Sequence, residues 1–170
     1  KNGKIETARV DMGEPILEPE KIPVISKENP VKNLKLNEEN KEFNFTCVSM
    51  GNPHAVTFIK EDVNKFDICK YGSKLEINNA FPKKANIEFI NVINDKTLKM
   101  RVWERGAGET LACGTGACAS TVAAILNGYT SREVTVHLLG GDLKIKWDEN
   151  DNHVYMIGPA TTVFEGKIEW

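Results

Sequence analysis

Hydrophobic and polar residues alternate, fully or in part, along several segments of the chain, which is the pattern of half-buried β-strands. Glycine, asparagine and aspartate stand between these segments and predict turns, and NDK at 94–96 predicts a hairpin. The predicted strands are residues 4–13, 43–51, 52–59, 85–93, 97–105, 133–139, 142–147, 153–158 and 162–170.

Two segments follow the helical period instead. Residues 66–77 predict a first helix despite Gly72, and residues 114–128 predict a second one that ends at Gly128 in a left-handed stop. The apolar stripe of the first helix is predicted to be Phe66, Cys69, Leu75 and Ile77. The stripe of the second is predicted to be Ala117, Thr121, Ala124 and Ile125.

An extended connector is predicted at residues 14–30, because this segment holds four of the seven prolines. Many antiparallel strands together with two helices predict an α+β fold rather than a parallel array of β-α-β units.

Composition narrows the possible functions. The chain has 170 residues and a formal net charge of −2 at pH 7, so it offers no basic face for nucleic acid. No apolar run approaches the roughly 18 residues of a membrane span, and the polar start KNGKIETARV is not a secretory signal. We therefore expect a cytoplasmic protein that binds neither nucleic acid nor membranes.

The four cysteines are predicted to be reduced thiols, because a chain of this length forms a core without disulfides. No CxxC pair occurs and the histidines are scattered, so no metal site is expected. Cys47 and Cys69 are predicted to be packing residues inside their elements. Cys118 lies about 140° around the helix from Cys113 and is predicted to point into the core.

Cys113 is the main candidate for chemistry, because it stands at the mouth of the second helix. A helix N-terminus stabilises a thiolate and lowers cysteine pKa values from ~8.5 towards ~3.5–7.5. Its free N–H groups also bind anions such as a carboxylate, and Gly114 and Gly116 let a ligand approach the backbone. Cys113 is thus a candidate base or nucleophile beside a carboxylate held by Gly114 and Thr115; the alternative is a small buried apolar residue.

Two further pairs are candidates for ligand contact. Glu104 and Arg105 end a predicted strand, where they could hold an ammonium and a carboxylate, or simply be an exposed strand-end pair. Asn52 and His54 flank a turn at Asn-Pro and could aim an amide and an imidazole into a cleft. The alternative is that His54 is a structural residue.

Three motifs in this order resemble the C-terminal half of diaminopimelate epimerase: MGNPHAV at 50–56, FPKKANIEF at 81–89 and ERGAGETLACGTGACAS at 104–120. The resemblance extends to VDMGEP near the start and GPATTVFEGKI near the end. It implies interconversion of LL- and meso-diaminopimelate, in lysine and cell-wall biosynthesis, with no metal or other cofactor. It also implies one half of a two-domain pseudo-symmetric fold, each domain a sheet wrapped around a central helix, in an enzyme that is often a homodimer.

The resemblance also implies roles for single residues. Cys113 matches one of two acid/base cysteines that face each other across the substrate α-carbon, and His54 and Glu104 match residues that tune the thiols. The residues that match substrate-binding positions are Asn52, Asn86, Glu104, Arg105, Gly114 and Thr115.

By the same resemblance, residues 1–13 close a preceding domain, residues 14–158 form the second domain, and residues 159–170 are a strand that returns to the first. The family's other cysteine has no counterpart in residues 1–103. One thiol exchanges the α-proton on one face only, so we expect the chain alone to be inactive without a first domain supplied in cis or in trans.

Three other functions are also compatible with the sequence. The first is a related cofactor-independent racemase of the proline racemase type. The second is a cysteine hydrolase that uses Cys113 with His54. The third is a non-catalytic half domain that binds an amino acid.

Overall fold

The computed structural model describes residues 5–169 of the chain. Within this range the chain forms one ten-stranded sheet and two α-helices, with a 3-10 turn at Val63–Lys65. The helices are α1 (Ile68–Leu75) and α2 (Gly114–Leu126). The strands are β1 (Thr7–Asp11), β2 (Leu34–Glu38), β3 (Lys41–Ser49), β4 (Pro53–Phe58), β5 (Asn86–Asn94), β6 (Thr97–Glu104), β7 (Gly108–Thr110), β8 (Glu133–Leu138), β9 (Gly141–Trp147) and β10 (Val154–Pro159).

The sheet is mainly antiparallel, which confirms the predicted α+β class. Its strand order is β1-β10-β9-β8-β6-β5-β4-β3-β2, and β7 pairs with β6. Two neighbouring pairs, β4 with β5 and β6 with β8, are parallel. The parallel pairs were not predicted; they arise because α1 and α2 each lie in the connection between two such strands and carry the chain back to the same end of the sheet.

Helix α2 is the central helix of the fold. Strands β3–β6 and β8–β10 contact it, and every residue from Gly116 to Ala124 is buried. Ala117, Thr121 and Ala124 of the predicted stripe are buried, but burial is not confined to one stripe, because strands contact α2 on several sides and its buried side chains are small. The predicted stop is confirmed: Gly128 has φ +72°, and the N–H of Tyr129 donates to the carbonyl of Ala124 at 2.9 Å.

Two cores lie on opposite faces of the sheet. The core on the face of α2 contains Val48, Val56, Ile90, Met100 and Val102. The core on the other face lies under α1 and the proline-rich connector, and contains Val31, Phe43, Phe45, Leu75 and Phe89. Because alternate residues of β3–β5 enter different cores, both sequence parities are apolar in these strands.

The buried face of α1 differs from the prediction. Its buried residues are Ile68, Gly72 and Leu75, whereas Cys69 is exposed and Ile77 is 60% exposed. Cys69 is therefore not a packing residue, because its side of α1 faces solvent. Cys47 and Cys118 are buried, as predicted.

The two ends of the described chain behave differently. Residues 7–11 of the predicted first strand form β1, which pairs with β10 at the edge of the sheet. Residues 160–169 form no strand, and Val163, Phe164 and Ile168 are exposed, because no neighbouring strand pairs with this segment. Lys4 and Trp170, at the ends of two predicted strands, lie outside the described residues. The return of residues 159–170 to another domain stays a prediction.

Elsewhere the connector at 14–30 has no regular strand, as predicted, and one bridge joins Ile16 to Ser49. Strands β2 and β7 were not predicted. Neither helix between residues 5 and 169 is long and apolar enough to cross a bilayer.

Candidate active site

Cys113 is the N-cap residue of α2. Its backbone is extended (φ −134°, ψ 107°), and its sulfur accepts a hydrogen bond from the Gly116 N–H at 3.3 Å. Side chains of serine or aspartate commonly fill this position. The N–H groups of Gly114 and Thr115 begin the helix and have no acceptor among residues 5–169. The helix mouth therefore combines a thiol with two free donors.

Because Gly116 has no side chain, the Cys113 thiol and the Glu88 carboxyl can lie near each other at the first turn of α2. A Cβ on Gly116 would lie 3.1 Å from the Cys113 Sγ and 2.9 Å from the Glu88 Oε1. The sulfur and this carboxyl oxygen are consequently within about 6 Å of each other. Cys113 is 6% exposed and Glu88 is fully buried.

A chain of hydrogen bonds leads from Glu88 back to the thiol. The Nδ1 of His54 lies 2.6 Å from the Glu88 Oε1, and its Nε2 lies 3.0 Å from the Asn52 Oδ1. The Asn52 amide then donates to the Thr115 Oγ1 at 3.3 Å, and that hydroxyl lies 3.5 Å from the Cys113 Sγ. These contacts bring together four residues singled out from the sequence: Asn52 just before β4, His54 on β4, and Cys113 and Thr115 at the start of α2.

Strand register explains why these side chains share one face. Alternate residues of β4 and β5 point to α2, and His54 pairs with Asn86 in the parallel register. Glu88 follows two residues after Asn86 and faces the same way. Glu104 is one of the same alternate set on β6.

Asn86 lies at the site, but backbone groups occupy its amide. Its Nδ2 donates to the Pro53 carbonyl at 2.9 Å, and its Oδ1 accepts from the Arg105 N–H at 2.8 Å. Asn86 therefore joins the first residue of β4 to the residue that follows β6. Contact between its amide and a substrate stays a prediction.

Glu104 is the last residue of β6 and Arg105 follows it directly, one residue beyond the strand, and their side chains have different partners. The Glu104 carboxylate accepts from the Thr110 hydroxyl at 2.5 Å. The Arg105 guanidinium is exposed and donates to the Lys83 carbonyl at 3.0 Å. Each side chain therefore has a hydrogen-bond partner within the protein, and contact of either one with a ligand stays a prediction.

The predicted lowering of the Cys113 pKa is wrong for this chain. Burial, with the Glu88 carboxyl as the next cause, raises the pKa of Cys113 to about 11. Hydrogen bonds from Thr115 and Gly116 oppose this increase without cancelling it. Burial also raises the pKa of Glu88, and His54 partly opposes that effect.

Sequence reasoning missed Glu88. The signal was present in ANIEFINVI (85–93), where alternation places Glu88 on the same face as Asn86 and Ile90. An acidic residue at such a position requires a buried partner. His54 is that partner.

The described residues contain no group of three or more His, Cys, Asp or Glu side chains placed to hold a metal ion. The fold of the chain is similar to part of a solved epimerase structure. A hydroxyproline epimerase from Agrobacterium vitis aligns with a TM-score of 0.65 and 11% identity, over 94% of this chain and 52% of that one. At this identity the similarity shows only that the chain shares the fold of the part of that epimerase that it covers.

Sequence relatives define the family. The family profile for diaminopimelate epimerase matches residues 46–163. A diaminopimelate epimerase from Methanococcus maripaludis (strain C5) is 60% identical over 99% of this chain and 60% of its own length. One from Acetivibrio thermocellus is 58% identical over the same shares of both chains. The chain belongs to the diaminopimelate epimerase family and spans about 60% of the length of these curated relatives.

Proposed function

We propose that this chain contributes one of two acid/base thiols to an isomerase that interconverts LL- and meso-2,6-diaminopimelate without a cofactor. Membership of the diaminopimelate epimerase family supports the reaction and the substrate. The observation that carries the proposal is the Cys113 thiol beside two free N–H groups at the mouth of α2. Such N–H groups bind carboxylates.

In this mechanism the substrate α-carboxylate accepts from the N–H groups of Gly114 and Thr115, which brings the α-carbon to the Cys113 sulfur. A thiolate removes the α-proton from one face, and the electron pair of the C–H bond delocalises into the carboxylate. A thiol on the other face then returns a proton and inverts the centre. The positive end of α2 stabilises the charge that develops on the carboxylate.

Cys113 enters this cycle as the acid. Burial and the Glu88 carboxyl raise its pKa to about 11, so the sulfur carries its proton at neutral pH. The second cysteine, on the first domain, then supplies the thiolate that removes the α-proton. The reverse reaction exchanges the two roles.

The proposal includes a first domain, in cis or in trans, that bears the second cysteine and completes the cleft. It also includes a homodimeric, cytoplasmic enzyme of lysine biosynthesis, in which residues 159–170 return to the first domain. The free thiols at Cys47, Cys69, Cys113 and Cys118 support a reducing compartment.

The geometry disfavours a cysteine hydrolase. Such an enzyme needs a histidine within hydrogen-bond reach of its thiol. Both ring nitrogens of His54 are occupied, one by Glu88 and the other by Asn52. The Cys113 sulfur contacts Thr115 and Gly116 instead.

Diaminopimelate is expected to protect Cys113 from iodoacetamide, because its carboxylate would occupy the helix mouth. The assay uses the Cys69→Ser variant, since Cys69 is exposed while Cys47 and Cys118 are fully buried. Without ligand the alkylation rate should rise with pH towards about 11, because only the thiolate reacts. Diaminopimelate should lower that rate at every pH.

Cadaverine is the matched ligand control, because it is the same five-carbon diamine without carboxylates. It should leave the alkylation rate unchanged. Equal rates with and without diaminopimelate would contradict the proposed site. Protection by proline in place of diaminopimelate would instead favour a racemase of the proline type.

A further inference from the structure

In the mechanism above, the buried Glu88 acts only by raising the pKa of Cys113, and its contact with His54 has no role. It is fully buried on the α2 face of β5, and its Oε2 has no hydrogen-bond partner among residues 5–169. Its Oε1 lies 2.6 Å from the His54 Nδ1. A buried carboxyl is costly to keep, so its place beside the thiol calls for a role.

The Asn52 amide gives the hydrogen-bond chain a direction. Its Oδ1 accepts only, so the His54 Nε2, 3.0 Å away, must carry a proton. Its Nδ2 donates only, so the Thr115 oxygen accepts at 3.3 Å. The Thr115 hydroxyl proton is then free to point at the Cys113 sulfur, 3.5 Å away.

Loss of the Nε2 proton would reverse this direction. Asn52 would have to turn its NH₂ group towards His54 and its oxygen towards Thr115. The Thr115 hydroxyl would then donate to Asn52, and the Cys113 thiolate would lose one of its two donors. The protonation of one His54 nitrogen thus decides how the thiolate is solvated.

Glu88 controls the protonation of the His54 Nε2 through its contact with the other ring nitrogen, Nδ1. With a proton on Nε2, the short contact between Nδ1 and the Glu88 Oε1 needs a second proton, held by either atom. Burial raises the pKa of Glu88 and so favours retention of that second proton. Two protons on the pair keep Asn52 in the observed orientation.

We propose that Glu88 is a positioning residue for Cys113. It shares a proton with the His54 Nδ1, and so keeps a proton on the His54 Nε2 that donates to Asn52. This arrangement directs the Thr115 hydroxyl at the Cys113 sulfur. The inference rests on the proposed role of Cys113 as a proton-transferring thiol. Its test measures the protonation of the His54 ring and the reactivity of the Cys113 thiol rather than turnover, so the two proposals can fail separately.

The first measurement is the His54 tautomer, from ¹⁵N–¹H NMR of the chain labelled at histidine. A His54→Gln variant assigns the ring, and His137 and His153 give separate signals. The proposal predicts a proton on Nε2 at neutral pH. A ring with Nε2 unprotonated and Nδ1 protonated would overturn it.

The second measurement is the iodoacetamide reactivity of Cys113 in the Cys69→Ser background. Thr115→Val should slow alkylation about fivefold below the thiol pKa, since one net hydrogen bond is lost, and Thr115→Ser should restore the rate. The titratable groups that face Cys113 are His54 on β4, Glu88 on β5 and Glu104 on β6, and Glu104 is kept unchanged throughout.

Two substitutions of Glu88 separate its charge from its position. Glu88→Gln removes the charge but keeps a hydrogen bond to the His54 Nδ1. In this background, Thr115→Val should slow the alkylation of Cys113 by about the same factor as in the unchanged chain. Glu88→Leu removes both the charge and the hydrogen bond. In this background, Thr115→Val should slow the alkylation of Cys113 less than about twofold. An equal Thr115→Val effect in both backgrounds would overturn the proposal, because the bond between residue 88 and His54 would then have no influence on the Thr115–Cys113 contact. If the leucine variant fails to fold, the tautomer measurement decides.

Discussion

At the scale of single residues, the site depends on Gly116 as much as on Cys113. A side chain at Gly116 would enter the space between the thiol and the Glu88 carboxyl, both of which are buried. Neither group is the free end of a flexible surface chain, so neither yields easily.

Gly116→Ala is expected to lower the free energy of unfolding by about 1–3 kcal/mol, despite the better helix propensity of alanine. Urea denaturation measures the change. Gly114→Ala is the matched control, because its Cβ would meet only the Met156 side chain, with the sulfur at 3.0 Å. That side chain is flexible and can move. A Gly116→Ala variant as stable as the unchanged chain would contradict this account.

The sequence analysis identified the thiol and most of its neighbours, but it predicted a lowered pKa for Cys113 where the structure raises it. The helix-mouth position of Cys113 could be predicted because glycines and an alanine-rich run follow it. The raised pKa could not, because it depends on burial and on Glu88, which β5 brings from 25 positions earlier in the chain.

At the scale of elements, periodicity predicted where the helices lie but not which sides they bury. Helix α2 has no polar face to reveal, because strands cover it all round. In α1 the decisive contact is Gly72 against Trp103, which helix propensity alone would treat as a defect.

Gly72→Ala is expected to destabilise the fold by about 1–3 kcal/mol, although propensity alone predicts a gain of about 1 kcal/mol. The new Cβ would lie 2.6 Å from the Trp103 Cβ. Trp103 cannot retreat easily, because its Nε1 donates to the Glu76 carboxylate at 2.9 Å.

Thermal or urea unfolding compares this variant with Ser73→Ala, the neighbouring control. Ser73 is half-buried and loses only a bond to the Cys69 carbonyl, so its change should stay within about 0.5 kcal/mol. A gain in stability for Gly72→Ala would show that α1 does not pack on Trp103 as described.

At the scale of the molecule, strand content and the α+β class could be predicted, but strand order could not. The parallel pairs depend on the two helical crossovers, which are long-range features that local alternation does not encode. Residues 162–169 show the converse: their alternation predicts a strand, yet strand formation needs a partner. The proposed first domain would supply that partner.

The central claim is that Cys113 is one of two thiols that invert diaminopimelate. Its most direct test is the epimerisation rate of LL- and meso-diaminopimelate in three samples: this chain alone, the chain mixed with the first domain of the Methanococcus maripaludis relative, and the same mixture with Cys113→Ser.

We expect no epimerisation by the chain alone and restored activity in the mixture, where two thiols face the α-carbon. Cys113→Ser should lower that activity by about 10²-fold or more, because one acid/base group is lost. Epimerisation by the 170-residue chain alone, or an unchanged rate in the Cys113→Ser mixture, would contradict the two-thiol account.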